Sequence, residues 1–237
     1  MLRFEAAAGY SVSVIIPVLN EESRIVGQLE SLSALPGIHE VIVVDGGSGD
    51  RTVELLRAIP RARLVTAPAG RASQMNAGAR VASGNVLLFL HADVRLPPHA
   101  MRWVSEALSE PAVVAGAFRT WTVTESSRTW LAPLLHLADL RSRYSALPYG
   151  DQALFVRADV FRQLGGFPEQ PLMEDLELSR RLRRLGTVRV VPAEVRVSGR
   201  RFLSRPVYYA LLLNILPLLY RLGMPPRLLA SLYGNPR

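Results

Sequence analysis

Four short apolar runs punctuate the first ninety positions: SVSVIIPV at 11–18, EVIVVD at 40–45, ARLVT at 62–66 and NVLLFL at 85–90. Near-continuous β-branched runs of this length, bounded by polar clusters, predict strands buried on both faces. Between them GQLESLSAL (27–35), RTVELLRAI (51–59) and RASQMNAGARVA (71–82) repeat their apolar residues at helical spacing. The order β-α-β-α-β-α-β predicts an α/β fold with a doubly wound, mostly parallel sheet and right-handed crossovers. Ligands of such sheets bind beyond the C-terminal ends of the strands. Polar residues cluster at those ends: Asn20-Glu21-Glu22, then Asp45 with Gly46-Gly47-Ser48-Gly49-Asp50, then His91-Ala92-Asp93. No internal repeat, low-complexity tract or linker interrupts the chain, so residues 1–237 read as one domain ending in a helical, arginine-rich segment.

Composition narrows the chemistry. All 28 basic residues are arginine, and there is no cysteine. Without lysine there is no P-loop lysine and no Schiff base; without cysteine there is no thiol nucleophile, iron–sulfur cluster or disulfide. Charge is unevenly spread: residues 1–177 hold 16 arginines and 19 acids, whereas 178–237 hold 12 arginines and a single acid, Glu194. A C-terminal part with a balance of +11 is expected to face something anionic. The early residues do not resemble a signal peptide, and the expected location is the cytoplasm, peripheral on the inner face of the membrane. Val207–Tyr220 is apolar for 14 residues but carries Asn214 and Pro217. A spanning helix needs about 20 residues, so this stretch is expected to lie on a membrane surface through 200–227 or, equally well, to pack in a core or a homodimer interface, with Pro217 dividing two helices.

Three constellations can carry chemistry. Asp45 ends an otherwise apolar strand, where its carboxylate either accepts hydrogen bonds from a nucleobase or ribose or simply closes the glycine-rich turn. If the strand continues past Leu90, His91 and Asp93 share one side, suited to holding Mg²⁺ or Mn²⁺ against a diphosphate; capping of the next turn is the plainer role. On a helix beginning near 174, Glu174 and Asp175 fall at the two edges of the Leu178-Leu182-Leu185 stripe, while Glu177 faces away with Arg180 and Arg184. Adjacent carboxylates beside an apolar stripe repel each other and lose solvent. That combination raises the pKa of one of them and suits a general base.

These pieces, in this order, resemble a family 2 glycosyltransferase of the GT-A fold. SVSVIIPVLNEESRI, EVIVVDGGSGDRTVELL, GRASQMNAGARVASGNVLLFLHADVRLPP and YGDQALFVRADVFRQLGGFPEQPLMEDLELSRRLRRLG carry the resemblance over most of residues 11–186. The HAD, GDQ and MED elements and the tail SGRRF…NILPLLYRLG are most similar to a subgroup labelled arsenosugar-biosynthesis or radical-SAM/selenodomain-associated glycosyltransferases. The resemblance implies a nucleotide-sugar half at about 11–95, an acceptor half at 96–200 and a helical tail at 201–237. It implies that Pro17, Asn20, Glu21, Asp45, Arg71, Gln74, Asn76 and Ala92 line the nucleotide sugar. Asp93 corresponds to the last acid of the family's Asp-x-Asp metal motif, with His91 in place of the first. Asp175 matches the catalytic base, with Glu174 beside it. Gly150, Asp151 and Gln152 are expected on the acceptor side, with Arg200 and Arg201 near the diphosphate.

The expected activity is therefore inverting transfer of a sugar from a nucleoside diphosphate, most often UDP, to a hydroxyl or similar nucleophile on a small or lipid-linked acceptor, assisted by Mg²⁺ or Mn²⁺. Two alternatives stand beside it. A nucleotidyltransferase could share the fold but typically needs a lysine-rich phosphate loop. A non-catalytic basic module for a membrane surface or nucleic acid would explain the tail but leave Asp45, Asp93 and Glu174-Asp175 without a role. No nucleic-acid partner is expected.

Overall fold

The computed structural model describes residues 9–123, 136, 139–140, 142–143, 147–199 and 206–233. Among the described residues eight strands form one sheet: β1 (Val12–Val18), β2 (Ile38–Asp45), β3 (Ala62–Thr66), β4 (Val86–Phe89), β5 (Val94–Arg95), β6 (Val113–Val123), β7 (Phe155–Arg157) and β8 (Thr187–Ser198), in the order β3-β2-β1-β4-β7-β6-β8-β5. The described helices are α1 (Ile25–Ser33), α2 (Thr52–Arg57), α3 (Arg71–Val81), α4 (Ala100–Leu108), α5 (Ala158–Gln163), α6 (Glu174–Leu185), α7 (Pro206–Arg221) and α8 (Pro226–Tyr233). Every position of β1 is buried, because both faces are covered. Val14, Ile16 and Val18 join Ile25 and Leu29 of α1 and Val104 of α4, while Ile15 joins Ala72, Met75 and Ala79 of α3 on the other side. That double burial is why the run reads as uninterrupted rather than alternating.

The strand order reverses at β1, which pairs in parallel with β2 on one side and β4 on the other. Pairing with β2 continues to Val18↔Asp45, but pairing with β4 stops at Ile15↔Phe89. Past that point β4 ends and β1 runs on beside β2, at the switch point where open α/β sheets form their ligand crevice. The Ile15 carbonyl accepts the amide of Leu90 across this seam at 2.9 Å. Pro17, two residues on, faces the same side, where its missing N–H orphans no ladder partner.

The second half departs from the simple parallel pattern. β7 is antiparallel to β4 and β6, and β5 is antiparallel to β8, so four of the seven described pairings are parallel. The β6–β8 register shifts between Ala117↔Val190 and Arg119↔Glu194, and the extra β8 residues include Pro192, which cannot donate to a ladder. The end of β8 pairs with β5 and its Ser198 amide donates to the Asp93 carbonyl at 3.1 Å, which brings that end beside the His91–Asp93 turn.

The apolar tail has two faces. Leu216 of α7 and Leu229 of α8 bury against Leu172, Met173 and Leu176, the segment that opens α6. α7 runs through Pro217 as one helix, contrary to the expected division there. The break comes instead at Gly223 (φ +91°), where Gly223 donates to the Tyr220 carbonyl and Met224 to the Leu219 carbonyl, a Schellman closure that a left-handed glycine permits.

Gly78 of α3 fixes how closely that helix meets the sheet. A Cβ there would lie 2.5 Å from Ile15 Cγ2 and 3.0 Å from Val44 Cγ2. An alanine inside a helix normally gains about 0.5–1 kcal/mol over glycine, whereas overpacking costs about 1–3 kcal/mol. Gly78→Ala is expected to be net destabilising by about 1–2 kcal/mol, seen as a lower urea midpoint at unchanged m-value; a raised midpoint would show that α3 can retreat without loss.

Candidate active site

The loops after β1 and β2 are zipped together. Asp45 is buried, and its carboxylate accepts the Gly47 amide at 2.9 Å, the Ser48 amide at 3.1 Å and the Ser48 hydroxyl at 2.5 Å. The Ser48 hydroxyl in turn accepts the Asn20 amide at 2.9 Å, and Asn20 Oδ1 accepts the Gly49 amide at 2.9 Å. Glu21 donates its amide to Thr52 Oγ1 at 2.8 Å and pairs its carboxylate with Arg24 at 2.9 Å. Asp45 is thus the organiser of its own turn. Gln74 reaches from α3 to donate to both the Val18 and Val44 carbonyls at 2.8 Å, which ties the ends of β1 and β2. The amide of Asn76 donates to the Phe167 carbonyl and accepts the Phe167 amide, both at 2.9 Å. These two amides are engaged in the frame of the crevice rather than offered into it.

A second group closes the crevice from the far half of the chain. Arg71, the first residue of α3, meets Glu174, the first residue of α6, with Nε–Oε1 at 2.8 Å and Nη2–Oε2 at 3.2 Å. Glu174 is 2% exposed and Asp175 9%, so both acids sit deeper than the stripe-edge positions expected. Asp175 Oδ2 accepts the Gly150 amide at 2.5 Å, and Oδ1 accepts the Leu176 amide at 2.7 Å. Gly150 opens a one-turn 3-10 helix, Gly150–Gln152, in which Asp151 follows half-buried. Gln152 holds that turn: its Oε1 accepts the Tyr149 amide at 2.9 Å and its Nε2 donates to the Phe118 carbonyl at 2.9 Å. A Cβ on Gly150 would stand 2.8 Å from His91 Nε2 and 3.1 Å from Asp175 Oδ2. Only glycine lets His91, Asp175 and this backbone converge.

The strand does not continue through His91–Asp93. The chain turns at Ala92-Asp93, so the shared side expected from a spacing of two is lost. Ala92 is buried, His91 half-buried beside Gly150, and Asp93 exposed. Arg200 and Arg201 lie outside the described residues. Glu177 pairs with Arg180 at 3.3 Å and Arg181 at 3.1 Å, because residues three and four positions on lie one turn away, whereas Arg184 lies two turns away. The positions brought together are therefore Arg71, Glu174, Asp175, Gly150 and His91, with Asp93 at the outer edge of the same turn.

Burial pushes Glu174 up from 4.5 to about 7; Arg71 opposes the rise, and the neighbouring Asp175 charge adds to it. Arg71 is raised above its ordinary value even though burial works against it, because Glu174, Asp175 and Tyr233 all favour the cation. Tyr233 belongs to α8. Its approach to Arg71 was invisible in the sequence, where the tail carried only an apolar and a charge signal.

Among the described residues no group of three or more His, Asp or Glu forms a ready metal cage. What the HAD turn offers is one exposed carboxylate, Asp93, with an imidazole nearby. Mg²⁺ and Mn²⁺ keep several waters and are commonly held by one or two carboxylates plus substrate phosphates. The donor set fits an ion whose coordination the diphosphate completes.

Residues 13–165 match the model of the glycosyl transferase family 2, and the chain belongs to that family. It is 31% identical over 142 residues to the undecaprenyl-phosphate 4-deoxy-4-formamido-L-arabinose transferase of Pseudomonas aeruginosa (strain LESB58), covering 55% of this chain and 42% of the relative. The corresponding Aeromonas hydrophila transferase is 34% identical over 119 residues, covering 46% and 36%. The chain spans less than half the length of these curated relatives. Among solved structures, the mannosyltransferase PcManGT from Pyrobaculum calidifontis with GDP-Man and Mn²⁺ superposes with a TM-score of 0.65 at 20% identity, over 92% of this chain and 66% of that one. S. aureus TarS 1-349 with UDP-GlcNAc gives 0.62 at 19% identity, over 79% and 58%. These likenesses establish the GT-A-like α/β fold.

The raised Glu174 makes a signed prediction. Its folded value lies above its unfolded one, so the stability it contributes is fully present below about pH 4.5 and is lost as pH rises through about 7. Urea midpoints measured from pH 4.5 to 7.5 should therefore show the wild type losing a few kcal/mol relative to Glu174→Gln across that window. Parallel pH profiles for the two proteins would mean that the Arg71 pairing keeps Glu174 ionised throughout.

Proposed function

We propose that this protein transfers a sugar, with inversion, from a UDP-sugar to a hydroxyl or similar nucleophile of a lipid-linked acceptor at the cytoplasmic face of the membrane. The observation that carries the reading is Asp175, a carboxylate fixed by two backbone N–H donors at the β1–β4 switch point, beside the half-buried Arg71 that pairs with Glu174. The undecaprenyl-phosphate in the names of the relatives supports a lipid-linked acceptor. The nucleotide sugars in the titles of the structural neighbours support the donor class. The subgroup resemblance rests on the HAD, GDQ and MED elements and the tail SGRRF…NILPLLYRLG.

In this mechanism Asp175 takes the proton of the acceptor hydroxyl while the acceptor oxygen bonds to the anomeric carbon from the face opposite the diphosphate. The bond between the anomeric carbon and the diphosphate oxygen breaks at the same centre, and UDP leaves with the electron pair. Its two clamping N–H groups hold the Asp175 carboxylate in one orientation, so no side-chain rotation precedes proton transfer. Arg71 faces the developing negative charge of the leaving group; its fork stays extended because Glu174 holds it. The zipped turn of Asn20, Glu21 and Asp45 forms the floor under the base, with Pro17 and Ala92 as apolar walls and Gln74 and Asn76 holding the frame. Gly150, Asp151 and Gln152 border the acceptor side, and Arg200 and Arg201 follow the strand that ends beside Asp93. When bound at Asp93, with His91 beside it, Mg²⁺ or Mn²⁺ would supply charge neutralisation on the diphosphate.

Asp175→Asn is expected to lower transfer by about 10²–10⁴ while leaving the calorimetric affinity for UDP with Mn²⁺ almost unchanged. Full activity in this variant, or an equal loss in Glu177→Gln, moves the base elsewhere. Asp93→Ala should weaken Mn²⁺-dependent UDP binding more than His91→Ala does, since both ions prefer oxygen ligands. UDP binding indifferent to EDTA would end the metal assignment, and release of GDP or dTDP rather than UDP from a panel of sugar nucleotides would end the donor assignment.

A further inference from the structure

α7 and α8 form a hairpin whose two faces have different environments. The inner face covers the start of α6: Leu216 and Leu229 bury against Leu172, Met173 and Leu176, and the Tyr220 hydroxyl donates to Glu177 at 3.4 Å. Met173 is the residue just before Glu174, and its backbone is left-handed at φ 65°. A non-glycine residue in that region is strained and persists only where the surroundings over-determine it, and here the tail supplies much of that surrounding. Tyr233 at the end of α8 favours the charge on Arg71. The tail thus buttresses both the helix start that carries the acidic pair and the cation that pairs with it.

The outer face has no covering element among the described residues. Tyr208, Leu211, Ile215 and Leu218 of α7, with Leu222 just past its end, repeat at intervals of three and four and form one stripe, exposed from 42% at Tyr208 to 75% at Leu222. Leu228 and Leu232 extend it on α8 at 56% and 46%. Arg221 and Arg227 bracket the connection between the helices, and the chain carries no acid after Glu194. Two copies of this face would bring arginines against arginines, whereas an anionic lipid surface would take up both the leucines and the charge. No described helix is long and apolar enough to cross a membrane; at 1.5 Å per residue the 16 residues of α7 span about 24 Å, against a hydrocarbon core of about 30 Å.

We propose that the outer face of α7–α8 inserts into the interfacial layer of an anionic bilayer, and that this docking tightens the Leu172–Leu176 segment through the inner face of the same hairpin. The proposal deepens the reading of a membrane-borne acceptor, but its test needs neither donor nor acceptor. A failure of docking is therefore distinct from a failure of sugar transfer.

The test is sedimentation of the full chain with phosphatidylglycerol vesicles, phosphatidylcholine vesicles and none, in low and high salt, followed by hydrogen exchange on the phosphatidylglycerol sample. Wild type should sediment with phosphatidylglycerol in low salt, partition weakly to phosphatidylcholine and be released by salt. Leu218→Asp/Leu222→Asp alters only exposed positions and is expected to lower partitioning about a hundredfold, as two leucines leave the interface and two carboxylates meet it. On vesicles the amides of 172–176 should gain protection in the wild type and not in the double variant. Wild type that stays in the supernatant, sediments equally with both lipids, or forms a dimer that the double variant dissolves overturns the docking face. Binding without a change at 172–176 overturns the coupling.

Discussion

The pairing of half-buried Arg71 with buried Glu174 is the constraint around which the site is arranged. Moving two charges out of water costs several kcal/mol per ion, and the attraction between them offsets that only when geometry is close and the remaining donors are satisfied. The planar fork of arginine meets a carboxylate with two hydrogen bonds, which a lysine cannot do. The two partners lie 103 residues apart and open α3 and α6 respectively. Their pairing sets the N-termini of both helices at the same crevice, and those ends carry the partial positive charge of the helix dipoles. An acid at the first position of α6 is favoured by that dipole; the arginine at the first position of α3 is not, and the charges of Glu174 and Asp175 offset that cost. The same geometry therefore answers for the stability of the pair and for the electrostatic character of the crevice.

Close approach follows from the pair. With α6 fixed, Asp175 reaches the 3-10 turn at Gly150, and the space that a side chain would fill is shared by His91 and the carboxylate. Strained backbone collects at the same place. Asn20, Ala153 and Met173 are three of the four described non-glycine residues with left-handed backbone, and each borders a segment of the site. Asn20 is held by Ser48 and Gly49, and Met173 by the tail cluster. The tail is thus structurally part of the site although it lies outside the stretch matched by the family model.

Much of the first half was legible because local pattern and tertiary context agree there. The predicted runs at 40–45 and 62–66 lie within β2 and β3, and the helical spacing at 71–82 matches α3, since each element buries the face its periodicity announces. The second half resisted for physical reasons. β5 has two residues and β7 three, too few to display a period, and β8 is broken by a register shift at Pro192. The acidic pair showed itself by its position on an amphipathic helix, but not its partner. Arg71 carried no mark of an ion pair, and the amides of Gln74, Asn76 and Gln152 could be assigned to backbone carbonyls only once the strands opposite them were known. The apolar tail left core and surface open as alternatives, and the structure gives it one face of each kind.

The single carboxylate of the HAD turn has a thermodynamic consequence for the proposed reaction. A site offering one acid and one imidazole binds a hard divalent ion weakly by itself, because such ions prefer several oxygen ligands. The diphosphate would supply the missing oxygens. Whatever factor the nucleotide adds to the affinity for the ion, the ion must add to the affinity for the nucleotide, since the two equilibria share one coupling free energy. Ion and donor then enter as a pair, and the exposed position of Asp93 at the rim, outside the Arg71–Glu174 pair, is where such a pair can be met from solvent. The Arg71–Glu174 pair organises the interior of the site by itself, while in the proposed reaction the rim carboxylate would leave the final coordination to the substrate.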